Sequence, residues 1–463
     1  MNDLTVDETP IPGLLVVRLP VHGDERGWFK ENWQRAKMIA AGLPDFGPVQ
    51  NNISYNATRG TTRGIHAEPW DKLISVATGR AFAAWVDLRP GASFGTTFWL
   101  EVGPEIAVFV PRGVGNSYQA LVDDTVYTYL VNDHWCPGVA YAALALDDPE
   151  AAIPWPIPLA QAELSAKDRA NPRLADVTPM APRRTLILGG AGQVGRALAT
   201  AFPDAELATR EALDVCDEGS LRSWDWRSYD VVVNAAAYTA VDAAETPLGR
   251  TRAWAANATA VATLAGLCRE YGVTLVHYST DYVFDGTAAE HPEEEPLSPL
   301  SMYGATKAAG ELAARSVPRH YVLRTSWVVG EGRNFVRTMA DLAQRGAAPS
   351  VVADQVGRLT FASTLAAATR HLLESDAAYG VYNVTNSGPP LSWHEVAQEV
   401  FALRGRDRDD VTATTTAEYV AAQIGAGKVI AERPRSSVLP LDRLERTGFI
   451  PQDQLSALRS YLS

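Results

Sequence analysis

The chain has 463 residues, 46% of them hydrophobic, and a formal net charge of −13. That length and apolar content suit two to three domains with buried cores and exclude a disordered chain, while the acidic balance argues against nucleic acid or an anionic membrane as a general partner. Three cysteines, Cys136, Cys216 and Cys268, are too few and too scattered for a disulfide framework or a zinc site, so no metal is expected and the reducing cytoplasm is the expected compartment.

The start, Met1-Asn-Asp-Leu-Thr-Val-Asp-Glu, lacks the basic region and apolar core of a secretory leader. Residues 1–165 show no alternation of strand and helix. Short runs at Leu14–Val17, Ala81–Val86, Phe98–Val102, Ala107–Val110 and Val126–Val131 are punctuated by Gly, Pro and Asp, the spacing of an antiparallel sandwich or barrel. One helix is expected around Trp33–Ala41. Three segments carry chemistry: Asp24-Glu-Arg-Gly-Trp-Phe-Lys-Glu31, Thr62-Arg-Gly-Ile-His66 followed by Lys72, and Leu164-Ser-Ala-Lys-Asp168. On its own His66 reads as a base, a packed strand histidine or a remnant metal ligand. The metal reading is poor, because only Glu68 follows as a nearby ligand and no His-x-His occurs. Tyr127 and Tyr129 share a strand face, so one can be core while the other serves a site.

Ala170–Arg183 is rich in proline and small residues and suits a short, semi-stiff linker. Beyond it, Arg184–Leu188 is an apolar run of the kind that forms a buried parallel strand. It enters Gly189-Gly-Ala-Gly-Gln-Val-Gly195 and then a helical stretch. Glycines at 189, 192 and 195 let the backbone turn tightly and approach a pyrophosphate resting on the helix N-terminus. Val231–Ala237 and Thr274–Thr280 read as further parallel strands ending in polar residues. Tyr303 and Lys307 lie about one helical turn apart and share a face. A neighbouring ammonium is expected to lower the phenol from its usual value near ~10.

With these residues in view, residues 5–178 resemble the dTDP-4-dehydrorhamnose 3,5-epimerases, a jelly-roll (cupin-like) family. The resemblance rests on the three segments above with Gln50-Asn-Asn-Ile-Ser54, Val86-Asp-Leu-Arg89 and Ser93-Phe-Gly95. It implies His66 as base, Asp168 as its partner, Lys72 as oxyanion stabiliser and Tyr129 as acid. Arg26 and Arg63 would hold the diphosphate, with Glu31, Gln50, Asn52 and Asn116 as further substrate contacts. The chain departs from the family at Asn116, where a His is usual, and at Ala67 and Glu68, where an aromatic and a Gln usually follow the base. Aromatic positions near the sugar or base fall at His134 and Trp135. These changes imply epimerisation that is slower, altered in selectivity or restricted to one carbon.

From 184 to the end the chain resembles an extended short-chain dehydrogenase/reductase, and specifically the dTDP-4-dehydrorhamnose reductases. The motifs are Asn234-Ala-Ala-Ala-Tyr-Thr-Ala-Val-Asp242, Ser279-Thr-Asp-Tyr-Val-Phe-Asp-Gly286, Arg324-Thr-Ser-Trp-Val328, Asn334-Phe335, Asp354-Gln-Val-Gly357 and Arg433-Pro434, with Leu359 where a proline is usual. The resemblance implies a doubly wound Rossmann sheet with a smaller C-terminal substrate-binding part. Thr280, Tyr303 and Lys307 would be catalytic. Gly189, Gly192, Gln193, Val194, Gly195, Asp214, Val215, Ala235 and Ala236 would hold NADPH or NADH, together with Tyr303 and Lys307. Arg210 favours NADPH. Asp281, Tyr282, Trp327, Asn334 and Arg433 would contact substrate, and Asn257 would support a proton relay.

The expected organisation is a jelly roll at 1–178, a linker at 179–183 and a reductase at 184–463. Together the halves imply epimerisation and then reduction of one dTDP-4-keto-6-deoxy sugar, by a homodimer joined through the jelly roll. In the alternative, only the reductase works and the N-terminal domain is a binding or dimerisation module.

Overall fold

The computed structural model describes residues 4–134, 141–375 and 377–463; Trp135 and Cys136 lie outside the described residues. The chain divides into two compact units, Met1–Pro182 and Arg183–Ser463.

Thirteen strands of the first unit are named in chain order: β1 Thr5–Glu8, β2 Leu15–Arg18, β3 His22–Asp24, β4 Gly27–Phe29, β5 Gln50–Asn56, β6 Thr62–Ala67, β7 Lys72–Thr78, β8 Ala81–Asp87, β9 Thr97–Val102, β10 Ile106–Val110, β11 Val114–Ala120, β12 Thr125–Val131 and β13 Ala142–Ala143. They form one sheet ordered β1-β2-β10-β7-β12-β5 and a second ordered β13-β6-β11-β8-β9, with the hairpin β3-β4 pairing only with itself. Every pairing in these sheets is antiparallel. The inner faces meet in a core that includes Ile74, Val76, Trp85, Val108 and Tyr127, as expected of a jelly roll. The expected early helix is present as Arg35–Ala40. Residues past 178 remain tied to this unit: Met180 N donates to Leu88 O at 2.8 Å, and Arg112 Nη1 to Ala181 O at 2.6 Å.

The second unit holds a parallel sheet of β14 Arg184–Leu188, β15 Glu206–Ala208, β16 Tyr229–Asn234, β17 Thr274–Thr280, β18 His320–Thr325 and β19 Gly380–Asn383. Its order is β15-β14-β16-β17-β18-β19. The order reverses beside β14, which places the ligand crevice at the end of that strand, where the glycine loop begins. A separate cluster, including Val336, Met339, Val396, Phe401 and Leu458, forms the core of the smaller C-terminal part.

Candidate active sites

Strand register builds the first site. Asn52 pairs with Tyr129, and Gln50 and Lys72 both pair with Val131. Paired residues share a face and alternate residues along a strand do too, so Gln50, Asn52, Lys72 and Tyr129 project from the same side. On the facing sheet, Asn116 pairs with His66 and Tyr118 with Arg63, so Ser117 opposes the two residues Gly64 and Ile65. This bulge turns Arg63 and His66 to one side although they are three apart. Gly64 is required there: its φ is +125°, and a Cβ would lie 2.4 Å from the Ser117 Cβ.

The result is a cavity of about 480 Å³ whose lining includes Arg63, His66, Lys72, Asn116, Tyr129 and Asp168. An adjoining cavity of about 340 Å³ adds Gln50 and Asn52. His66 Nε2 lies 2.8 Å from Asp168 Oδ1. Asp168 rides on the short helix Ala166–Arg169, whose cap, Ser165 Oγ, accepts from the Asp168 N–H at 3.0 Å. Burial alone would raise the Asp168 pKa, but the bond to His66 and further hydrogen bonds hold it below the usual carboxylate range.

Burial, reinforced by the Glu68 charge, pushes Tyr129 up to about 12, so at neutral pH it carries its proton. Tyr127 is fully buried, stacked on Tyr118 with centroids 3.9 Å apart, and donates to Asn116 Oδ1 at 3.0 Å. Arg26 and Glu31 line neither cavity. Arg26 is 90% exposed and pairs with Asp24, while Glu31 pairs with Lys37. The sequence reading passed over two contacts here, the ion pair of Glu68 with Lys72 and the hydrogen bond that the Lys167 ammonium donates to the Tyr141 hydroxyl at 2.6 Å. The four-residue spacing of the first was its only sequence signal.

In the second unit, β14 delivers the chain into Gly189, with φ +76°, where a Cβ would sit 2.6 Å from the Ala236 backbone nitrogen. A Cβ on Gly195 would meet Gly189 O at 2.3 Å. Gly189 therefore packs against Ala235 and Ala236, and neither Gly189 nor Gly195 has room for a side chain. Gly192 caps the helix Gln193–Ala201 without a side-chain bond, which leaves the first N–H groups of Gln193, Val194 and Gly195 to a ligand. The Gln193 Oε1 is buried with no partner among the described residues. This cradle fits a dinucleotide pyrophosphate. Asp214 Oδ1 accepts from Cys216 N at 2.9 Å, and Val215 packs on the core beside it.

Tyr303 and Lys307 stand on the helix Met302–Ala314, capped by Ser301. Gly304 lets this helix press onto the turn Asp281–Val283 that follows β17, since a Cβ there would be 2.2 Å from Tyr282 O. Tyr303 meets Tyr282 edge-on at 5.7 Å. The expected lowering of the phenol is reversed. Burial and then the Asp281 charge drive Tyr303 well above its ordinary value, while the Thr280 hydrogen bond eases it only partly. Lys307 donates to the Tyr278 carbonyl rather than to the phenol, and burial lowers it to about 8.

Asp281 is buried with Oδ2 unpartnered among the described residues, and burial raises it to about 6. Thr280 Oγ1 donates to Asp281 Oδ1 at 2.9 Å. Arg433 holds the Asp242 carboxylate at 2.8 and 3.0 Å and also bonds Tyr282. Trp327 stacks on Trp393 at 3.7 Å. Asn334 caps the helix Phe335–Gln344 and donates to Gly330 O at 2.7 Å. Asn257 lies in a π-helical turn, Ala255–Thr259, and bridges Tyr238 to Thr306. Such turns often mark functional positions.

A His–Asp pair, a lysine and a tyrosine line one cavity, the donor set that acid–base chemistry uses. A Tyr–Lys helix and a glycine cradle in one unit are the features of a short-chain dehydrogenase/reductase. Family models agree: "RmlD substrate binding domain" matches residues 183–463, and "dTDP-4-dehydrorhamnose 3,5-epimerase" matches 8–176. The chain belongs to both families, one in each unit. Over 180 residues it is 46% identical to "Protein RmlC homolog" of Streptococcus pyogenes, covering 37% of this chain and 90% of the relative. Over 286 residues it is 40% identical to the "Probable dTDP-4,6-dihydroxy-2-methyloxan-3-one 4-ketoreductase" of Streptomyces antibioticus, covering 60% of this chain and 93% of that one. A crystal structure of dTDP-4-dehydrorhamnose reductase from Bacillus anthracis str. Ames in complex with NADP is 29% identical, with a TM-score of 0.55, and covers 61% of this chain and 98% of that one.

Proposed function

We propose that the chain epimerises dTDP-4-keto-6-deoxy-glucose at C3 and C5 and then reduces its C4 ketone to give dTDP-L-rhamnose. The observation that carries this reading is the meeting of His66, Asp168, Lys72 and Tyr129 in one cavity. The ketone acidifies the hydrogens on its neighbouring carbons. His66, with Asp168 to stabilise its protonated form, removes one. The Lys72 ammonium stabilises the enolate oxygen as charge develops there. Tyr129, still protonated, returns a proton to the opposite face and inverts the centre. Arg63 and Asn116 in the same cavity, and Gln50 and Asn52 beside it, would orient the sugar nucleotide.

In the reductase, Gly189, Gly192, Gln193, Val194 and Gly195 would hold the pyrophosphate of NADPH, with Asp214, Val215, Ala235 and Ala236 around the rest. The bound cofactor supplies hydride for C4. Arg210, exposed just past β15, supports NADPH over NADH. Thr280 would hydrogen-bond the ketone oxygen and Tyr303 give it a proton, with Lys307 fixing the base of the site. Asp281, Tyr282, Trp327, Asn334 and Arg433 are the proposed substrate contacts. A homodimer through the jelly roll belongs to this reading. Phe29, Ile53 and Tyr55 are exposed apolar side chains on β4 and the edge strand β5, and Arg26 precedes β4 in the same hairpin. Among the described residues no helix is long and apolar enough to cross a membrane, and the cytoplasm is the proposed location. The likeness to a 4-ketoreductase of different name supports a second reading, in which the C-terminal half is a related 4-ketoreductase, and NMR of the product at C4 separates the two.

Tyr303→Phe tests the division of labour. With ketosugar and NADPH it should lose about 10²–10⁴-fold in reduction while the epimerised ketone accumulates, as followed by NMR. Reduction at the wild-type rate would refute the assignment.

A further inference from the structure

Glu68 follows His66 by two residues, and its carboxylate pairs with the Lys72 ammonium inside the cavity. Lys72 is 3% exposed along its side chain and Glu68 16%. The turn between them is fixed. Gly113 N donates to Glu68 O at 3.3 Å, Asp71 and Asn132 exchange two bonds of 2.9 Å, and Arg112 N donates to Asp71 Oδ1 at 2.8 Å. An ammonium buried without a counter-charge is costly and tends to shed its proton. A carboxylate on the same turn offsets that cost.

We propose that Glu68 is a positioning residue for the epimerisation step, holding the Lys72 ammonium charged and in place where the enolate oxygen forms. The inference rests on the epimerase reading above. Other ionisable groups share the cavities: Arg63 and His66 from β6, Tyr118 from β11, Tyr127 and Tyr129 from β12, Lys167 and Asp168 from the helix, with Glu163 ahead of it and Tyr141 alongside. His66 is bonded to Asp168, Lys167 to Tyr141 and Arg63 to Asn56, whereas Lys72 is bonded to Glu68. The Glu68 charge also reaches Tyr129, where it adds to burial in keeping the phenol protonated. One carboxylate thus supports both the oxyanion stabiliser and the acid.

The test follows exchange of the C3 and C5 hydrogens of dTDP-4-keto-6-deoxy-glucose for deuterium, by NMR, on the full chain without cofactor. Rates are taken from about pH 6 to about pH 10, spanning the lysine range. Glu68→Gln should slow exchange about 10²-fold at neutral pH, the scale of misplacing a catalytic group by ~1 Å, and its alkaline limb should begin at lower pH. Glu68→Asp, whose carboxylate is set back by one methylene, should fall between the two. A Glu68→Gln variant with wild-type rate and limb, or one faster at every pH, overturns the proposal. Should Glu68→Gln fail to fold, wild-type rate and limb in Glu68→Asp overturn it equally. Exchange that survives His66→Asn, or is absent from the wild type, strikes the epimerase reading and takes this proposal with it. Exchange lost in His66→Asn but untouched at Glu68 strikes the proposal alone.

Discussion

Replacing Asp168 by Asn keeps the shape of the His66 partner and removes its charge. The Nε2–Oδ1 distance is 2.8 Å, with Asp168 6% and His66 24% exposed along their side chains. For charge centres about 4 Å apart at an effective dielectric of about 20, the carboxylate stabilises an imidazolium by about 4 kcal/mol. The partial exposure of the imidazole reduces that to about 3 kcal/mol. At ~1.4 kcal/mol per tenfold, Asp168→Asn should slow proton abstraction about 10²-fold. The assay is cofactor-free exchange of ring hydrogens in deuterated buffer at neutral pH, with reduction of already epimerised ketone as the control that should not change. An exchange rate within about threefold of wild type, less than 1 kcal/mol, would refute the reasoning. The pH dependence has a definite sign. A carboxylate held below its unfolded value contributes stability that is present above that value and lost as pH falls through the folded one. The stability deficit of Asp168→Asn should therefore shrink as the solution is acidified below about pH 4.

Gly189→Ala should abolish cofactor binding, because its Cβ would strike the Ala236 backbone and the residue would have to hold φ +76°; titration of NADPH fluorescence reads this, and wild-type affinity would contradict the cradle. Asp281 is raised by burial from 3.8 to about 6 in the fold, so its ionisation opposes folding increasingly as pH rises between those values. Asp281→Asn should accordingly stabilise the reductase above about pH 6, by on the order of 3 kcal/mol, with the gain fading toward pH ~4. Urea unfolding at several pH values measures it, and a gain independent of pH would contradict it.

The apolar runs of the jelly roll were legible because short apolar or alternating runs between turn residues mark strands: Ala81–Val86 lies within β8, buried along its whole length, and Val126–Val131 within β12. Two of the strands that carry chemistry were not. β6 and β11 break the apolar pattern with glycine and polar residues, because Arg63, His66 and Asn116 line a cavity while Ile65, Ala67 and Val114 enter the core. The glycine loop was legible from its strand before and helix after. The direction of the Tyr303 shift was not, because sequence spacing places Lys307 on the right face without showing that its proton goes to the Tyr278 carbonyl. Helical periodicity likewise says nothing of Asp281, whose charge reaches the phenol from the end of another strand. Three like charges in a row, Glu293–Glu295, signal no partner either, yet Glu295 bonds the buried His291 and Glu293 accepts from Asn383 N.

The most direct test incubates the full chain with dTDP-4-keto-6-deoxy-glucose and NADPH in deuterated water and examines the isolated product by NMR. The account predicts dTDP-L-rhamnose carrying deuterium at both C3 and C5 and ordinary hydrogen at C4. A reduced sugar without deuterium at C3 and C5, or exchanged ketone that is never reduced, would contradict the claim that two sites in one chain act in turn on the same carbonyl.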